Sequence, residues 1–155
     1  MISLLNNKHN IITSEIEQAV TAFCMESDTE YKSCNNMQGL FQQTMENIGN
    51  IVITKPAGQF LWLDTDAVGR VNGYVLTHVS KDVDNKFCYY MTQAWLYPKF
   101  RNTHYSKEAI KLLRQHAKEL MCKHIIVVSS RNTKAYIRFL GGKFKPYVML
   151  LKEDI

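Results

Sequence analysis

Apolar positions set out the elements before any other feature is needed. In "SEIEQAVTAFCMES" (14–27), Ile16, Ala19, Val20, Phe23 and Cys24 recur at helical spacing. Ser14 with Glu17 three residues on is a capping-box pattern that opens this helix. "NMQGLFQQTMENIG" (36–49) predicts a second helix, ended by Gly49. The period then changes. "QFLWLDTD" (59–66), "VNGYVLTHVS" (71–80) and "KFCYYMTQAWLY" (86–97) predict three strands. The connectors "DAVGR" and "KDVDN" supply turn chemistry, so the three form an antiparallel meander. In "SKEAIKLLRQHAKELM" (106–121) Ala109, Leu113, Ala117 and Leu120 make an apolar line, widened by Leu112 and His116. "HIIVVSS" (124–130) reads as a buried strand, "NTKAYIRFLGG" (132–142) as a short helix closed by Gly141 or Gly142, and "KPYVMLLKE" (145–153) as a final strand. "MISLL" makes a short strand at the start.

The predicted order is β-α-α-β-β-β-α-β-α-β, a mixed α/β (α+β) sheet in a single domain over residues 1–155. A right-handed crossover places helix 106–121 against the sheet, its N-terminus at one strand end.

Composition changes the picture in two places. The four cysteines, Cys24, Cys34, Cys88 and Cys122, include no C-x-x-C pair, which removes the zinc and dithiol spacings and leaves thiols of a reducing compartment. "MISLLNNKHN" has no basic start followed by a long apolar region, and no apolar run is long enough to span a bilayer. The expectation is a cytoplasmic chain, or one carried within a viral particle. The charge is divided: residues 1–100 carry 7 Lys+Arg against 10 Asp+Glu, residues 101–155 carry 12 against 4. A basic second half fits an anionic partner, either nucleic acid or a phosphorylated cofactor.

The stretch "YPKFRNTHYSKEAIKLL" (97–113) joins a strand to a helix N-terminus, where backbone N–H groups and the macrodipole favour an anion. Arg101 stands beside it, and Lys107, Lys111, Arg114 and Lys118 form a basic stripe opposite the apolar line. Alternation along strand 86–97 puts Tyr89 and Trp95 on one face and Tyr90 on the other; these aromatics, with Tyr97, read as sheet packing before a nucleic-acid stacking platform. No Walker lysine, G-x-S-x-G or H-E-x-x-H motif occurs.

The element order and residues 87–144 resemble the GNAT superfamily of N-acetyltransferases. There, a bulged strand carries an apolar residue two before a proline, followed by an R/Q-x-x-G-x-G/A turn that cradles the coenzyme A pyrophosphate. This chain has Leu96, Pro98 and then Arg101, Asn102, Thr103, His104, Tyr105 and Ser106, so the resemblance implies a bulge near Trp95 and Leu96 that splays strand 86–97 from strand 124–130. The family's later asparagine, alanine, tyrosine and Gly-Phe positions correspond to Asn132, Ala135, Phe139 and Phe144, with glycines at 141 and 142. The resemblance implies acetyl-CoA as cofactor, a primary amine as acceptor, and Leu96, residues 101–106 and Asn132 as the cofactor-binding set.

Three departures carry weight. His104 replaces a glycine, so its side chain crowds or remodels the turn, before the alternative that its imidazole hydrogen-bonds a phosphate. Phe139 stands where the family's tyrosine protonates the leaving thiolate; Tyr136, one helical turn earlier, is either a substitute or a packing residue. Strand 86–97 offers Thr92 and Gln93 but no carboxylate base. Asp64 and Asp66 are the nearest carboxylate candidates but read as turn residues, and His78, on the middle strand, is a candidate base or a satisfied core or rim residue. Two functions follow: an acetyl-CoA-dependent N-acetyltransferase, or a GNAT-fold protein without catalysis that serves as a structural or interaction component with a protein partner, for example in a viral particle. Direct nucleic-acid binding is the weaker third.

Overall fold

The structure, a computed structural model, describes residues 2–4, 13–29, 36–101 and 103–128. Strand β1 (Ile2–Leu4) is followed by helices α1 (Ser14–Thr29) and α2 (Met37–Thr54). Then come β2 (Gln59–Thr65), β3 (Val71–Lys81), β4 (Phe87–Leu96), a 3-10 turn (Pro98–Phe100), α3 (His104–Glu119) and β5 (His124–Val127). The expected order holds across them. The predicted helix 132–142 and strand 145–153 lie outside the described residues, as do Asn102, Asn132, Ala135, Tyr136, Phe139 and Phe144.

The sheet order is β1-β2-β3-β4-β5. The first four strands are antiparallel neighbours and β5 joins β4 in parallel. Each face carries its own core. α1 and α2 cover one, where Ile16, Ala19, Val20, Ile48 and Ile51 pack on Leu61, Leu63, Tyr74, Leu76 and Trp95. α3 covers the other, where Ile110, Leu113 and Ala117 pack on Trp62, Val75, Tyr89 and Met91. Among the described residues no helix is long and apolar enough to cross a membrane.

Helix ends depart from the sequence pattern for local reasons. Gly49 does not end α2. The helix continues to Thr54 because Ile51 and Val52 are buried, and this outweighs the ~1 kcal/mol that an interior glycine costs. It closes at Lys55, in the left-handed region at φ 48°, whose N–H donates to the Ile51 carbonyl. Asn36 caps its start, accepting from the Gly39 N–H at 2.8 Å. In α1, Ser14 is already helical, and the Thr13 carbonyl accepts the N–H groups of Ile16 and Glu17.

β4 carries a bulge, but not near Trp95 and Leu96. Leu76 of β3 pairs with Gln93 and Thr77 pairs with Met91, so Thr92 is the extra residue. Its hydroxyl donates to the Leu76 carbonyl at 3.2 Å. One inserted residue inverts the alternation beyond it. Trp95 and Tyr97 therefore pack with the α1/α2 core, while Tyr89 lies under α3, and the expectation that Tyr89 and Trp95 share a face is corrected.

Candidate functional site

Among the described residues β5 accompanies β4 as far as the bulge. Their pairs run from Cys88 with His124 to Met91 with Val127, and the Val128 N–H donates to the Met91 carbonyl at 3.0 Å. β4 then continues past Thr92 to Leu96 with β3 on its other side. At that end Gly73 sits opposite Leu96. A Cβ on Gly73 would lie 2.5 Å from the Trp95 carbonyl oxygen and 2.9 Å from the Leu96 Cα, so the absent side chain is what lets β3 and β4 approach so closely.

The turn from β4 into α3 is shaped without glycine. Pro98 opens the 3-10 turn; the Phe100 N–H donates to the Tyr97 carbonyl and the Arg101 N–H to the Pro98 carbonyl. The Thr103 hydroxyl donates to the Phe100 carbonyl at 2.6 Å, and the Ser106 hydroxyl to the Thr103 carbonyl at 2.9 Å. Thr103 holds the N-cap position of α3, yet its side chain makes no capping bond, and the first turn contains no acidic residue. The N-terminus of α3 carries the positive end of the helix macrodipole. α3 starts at His104, two residues before the predicted start, and the imidazole is exposed. Ser106 is buried. Lys107, Lys111 and Lys118 are exposed and Arg114 is half-buried.

Arg101 faces inward. Its Nε donates to the Leu96 carbonyl at 2.8 Å, and its two terminal nitrogens grip the Glu26 carboxylate from both sides. The Trp95 indole N–H donates to the same carboxylate at 2.6 Å. Glu26, near the C-terminal end of α1, is only 9% exposed. Sequence reasoning missed it, although a signal was present: it lies three residues past Phe23, on the side of α1 that is otherwise apolar.

Around the bulge, the α1/α2 face is lined by neutral polar groups. Gln93 Nε2 donates to the Tyr74 hydroxyl at 2.9 Å and meets the Thr44 hydroxyl at 3.3 Å. His78 lies on this face, stacked on Tyr90 with ring centroids 4.9 Å apart. Burial pulls its pKa below the ordinary histidine value, which favours the neutral imidazole. The other two candidates are not equivalent. Asp66 is a turn residue as expected, accepting the N–H groups of Val68 and Arg70. Asp64 is not: it sits within β2, 4% exposed, and accepts from Asn72 Nδ2 at 3.2 Å. Among the described residues Cys24, Cys88 and Cys122 are thiols, and burial, with Asp82 beside it, pushes Cys88 up to about 11.

The structure thus brings Leu96, Arg101, Thr103 and Ser106 together at the end of β4, with His104 at the helix start. His78 stands apart, two residue pairs from the bulge on the α1/α2 face. Tyr105 lies in the first turn of α3 with its side chain outside the described residues, and Asn102, Asn132 and Tyr136 lie outside them altogether.

Comparison with known proteins agrees with this geometry. The sequence model of the acetyltransferase (GNAT) family matches residues 21–141. No curated protein matches the chain at the sequence level. Solved structures do match in shape. The BH1408 protein of Bacillus halodurans superposes with a TM-score of 0.74 at 10% identity, over 100% of this chain and 99% of that one. A GNAT family acetyltransferase of Staphylococcus aureus gives 0.60 at 15% identity, over 100% and 98%. AAC(6')-Iy, solved in complex with the bisubstrate analogue CoA-S-monomethyl-acetylneamine, gives 0.65 at 12% identity, also over 100% and 98%. At such identities the likeness speaks for the fold.

Proposed function

The chain belongs to the GNAT acetyltransferase family, and from that premise we propose that it transfers the acetyl group of acetyl-CoA to a primary amine. One observation carries the reading: among the described residues β5 pairs with β4 only up to the Thr92 bulge, and β4 runs on beyond it into the turn that opens the N-terminus of α3.

The residues present fit a nucleotide thioester. Backbone N–H groups around 103–106, at the positive end of α3, suit its pyrophosphate. The Thr103 and Ser106 hydroxyls bond to carbonyls and hold the turn in place beside that helix end. The basic stripe, with Lys107 and Lys111 in the first two turns, raises the local concentration of a polyanion. The pantetheine arm then follows β4 beside Leu96, beyond the bulge.

Acetyl-CoA supplies the activated acetyl group: the amine nitrogen bonds to the carbonyl carbon, the carbon–sulfur bond breaks, and the thiolate leaves. A backbone N–H of the far end of β4 near Leu96 would polarise the carbonyl. His78, kept neutral by burial, is suited to take the proton that the amine loses, directly or through water. Tyr136 is the nearest phenol in sequence to Phe139, and we assign it the proton for the thiolate.

The test is calorimetric titration of acetyl-CoA, followed by a thiol-release assay across small amines, peptides with free N-termini and lysine peptides. Binding and turnover on one class support the reading. No binding at millimolar acetyl-CoA overturns it in favour of a GNAT-fold protein that works as a structural component.

A further inference from the structure

We infer that Glu26 is a positioning residue for coenzyme binding: it holds Arg101 behind the β4–α3 turn as a strut, so that phosphate meets the turn's backbone N–H groups and not the guanidinium. The inference rests on the reading above that this turn is the coenzyme site.

Three elements meet at this carboxylate. Glu26 comes from α1, Trp95 from the far end of β4, and Arg101 from the turn. The carboxylate is 9% exposed and accepts N–H groups from both partners, with the guanidinium fork on both oxygens. Such two-point pairing fixes an angle as well as a distance. The third nitrogen of Arg101 reaches the Leu96 carbonyl at 2.8 Å, so the guanidinium plane spans from α1 to the last residue of β4. Tyr97 closes against the Trp95 ring at a centroid distance of 4.3 Å, and the strand approach at Gly73 holds the Trp95 and Leu96 backbone from the other side. The unit therefore sets where β4 ends and where α3 begins.

Charge favours the same reading. An arginine that served phosphate directly would gain nothing from a buried carboxylate on its guanidinium, since the pair is close to neutral as seen from outside. The carboxylate in turn needs the arginine, because an uncompensated buried charge is costly and Glu26 is the buried member of the pair. The turn lacks the glycines that would otherwise shape it, and a strut at its base supplies the fixed geometry.

Two substitutions separate the strut from a direct phosphate contact. Glu26→Gln keeps the size of the side chain and removes its charge. Arg101→Lys keeps a positive charge against Glu26 but loses the fork and the bond to Leu96. Acetyl-CoA dissociation constants are measured by calorimetry on wild type, both variants and the double variant, each first shown to be folded by circular dichroism. The strut predicts a weakening of about tenfold or more in each single variant and little further loss in the double, because both changes break one unit. Should Glu26→Gln fail to fold, Arg101→Lys carries the test, since it leaves Glu26 with a cation. Tighter binding in Glu26→Gln means that the guanidinium serves the phosphate and overturns the inference, and near-normal binding in Arg101→Lys overturns it by showing that the fork is not needed for coenzyme binding. A lowered melting temperature with unchanged affinity makes the pair structural only and also overturns it. Absence of acetyl-CoA binding in wild type instead brings down the coenzyme reading, and the positioning role with it.

Discussion

Gly73→Ala is the sharpest probe of how β3 positions the end of β4. The added methyl carbon would stand 2.5 Å from the Trp95 carbonyl oxygen, 2.8 Å from Leu96 Cδ1 and 2.9 Å from Leu96 Cα. Ordinary carbon contacts lie at roughly 3.5–4.0 Å, so β3 and β4 must separate locally by about 1 Å. Two of the three obstacles are backbone atoms, which cannot swing aside as a side-chain tip can. Overpacking of this kind costs ~1–3 kcal/mol, offset by the ~0.5–1 kcal/mol that alanine gains over glycine through unfolded-chain entropy. The net loss is then about 1–2 kcal/mol, or about 2–8 °C in Tm for a domain of this size. The same displacement moves Leu96 and the Arg101 bond to its carbonyl, so acetyl-CoA affinity falls as well. Urea denaturation and calorimetry on wild type and variant measure both. Unchanged stability with unchanged affinity would show that the two strands are not in the contact described, and would refute the reasoning.

Tyr89→Phe tests the polar hub beneath α3: the Tyr89 hydroxyl bonds to Trp62 Nε1, Thr77 Oγ1 and His116 Nδ1 within 3.0 Å, and stranding these buried groups should cost roughly 2–4 kcal/mol, read by urea denaturation. Burial lowers the pKa of His116, so the unfolded chain binds this proton more readily; stability is full above the unfolded value of about 6.5 and falls as pH drops toward the folded value, a loss that His116→Gln should flatten. Should His78 act as the base, kcat/KM should fall on acidification with a midpoint below the ordinary histidine value, and His78→Ala should remove that limb. Phe139→Tyr should raise turnover on a competent amine, since a general acid contributes roughly 10²–10⁴-fold, and equal thiol release by both proteins would contradict that role.

Periodicity made the meander, both core faces and α3 legible, because burial alone selects those residues. The bulge was legible as an expectation but not in its position. Thr92 carries no local mark; its place follows from the pairing of Leu76 with Gln93, a contact between distant segments. Once it is placed, the swap of Trp95 to the α1/α2 face follows, and with it the meeting of Trp95 and Glu26. Gly49 misled for the converse reason, since a weak helix breaker yields to the burial of Ile51 and Val52. Arg101 was legible as a residue of the turn, but its partner was not, because Glu26 lies 75 positions away. The hydroxyls of Thr103 and Ser106, which fold the turn without glycine, read in the sequence only as small polar residues.

Titration of acetyl-CoA into the wild-type protein tests the central claim most directly, with desulfo-CoA and adenosine 3',5'-bisphosphate as companions that retain phosphate. The account predicts saturable one-to-one binding of acetyl-CoA, weakened by added salt because the phosphates meet a basic helix end. Absence of heat and of any thermal shift at millimolar acetyl-CoA would contradict it.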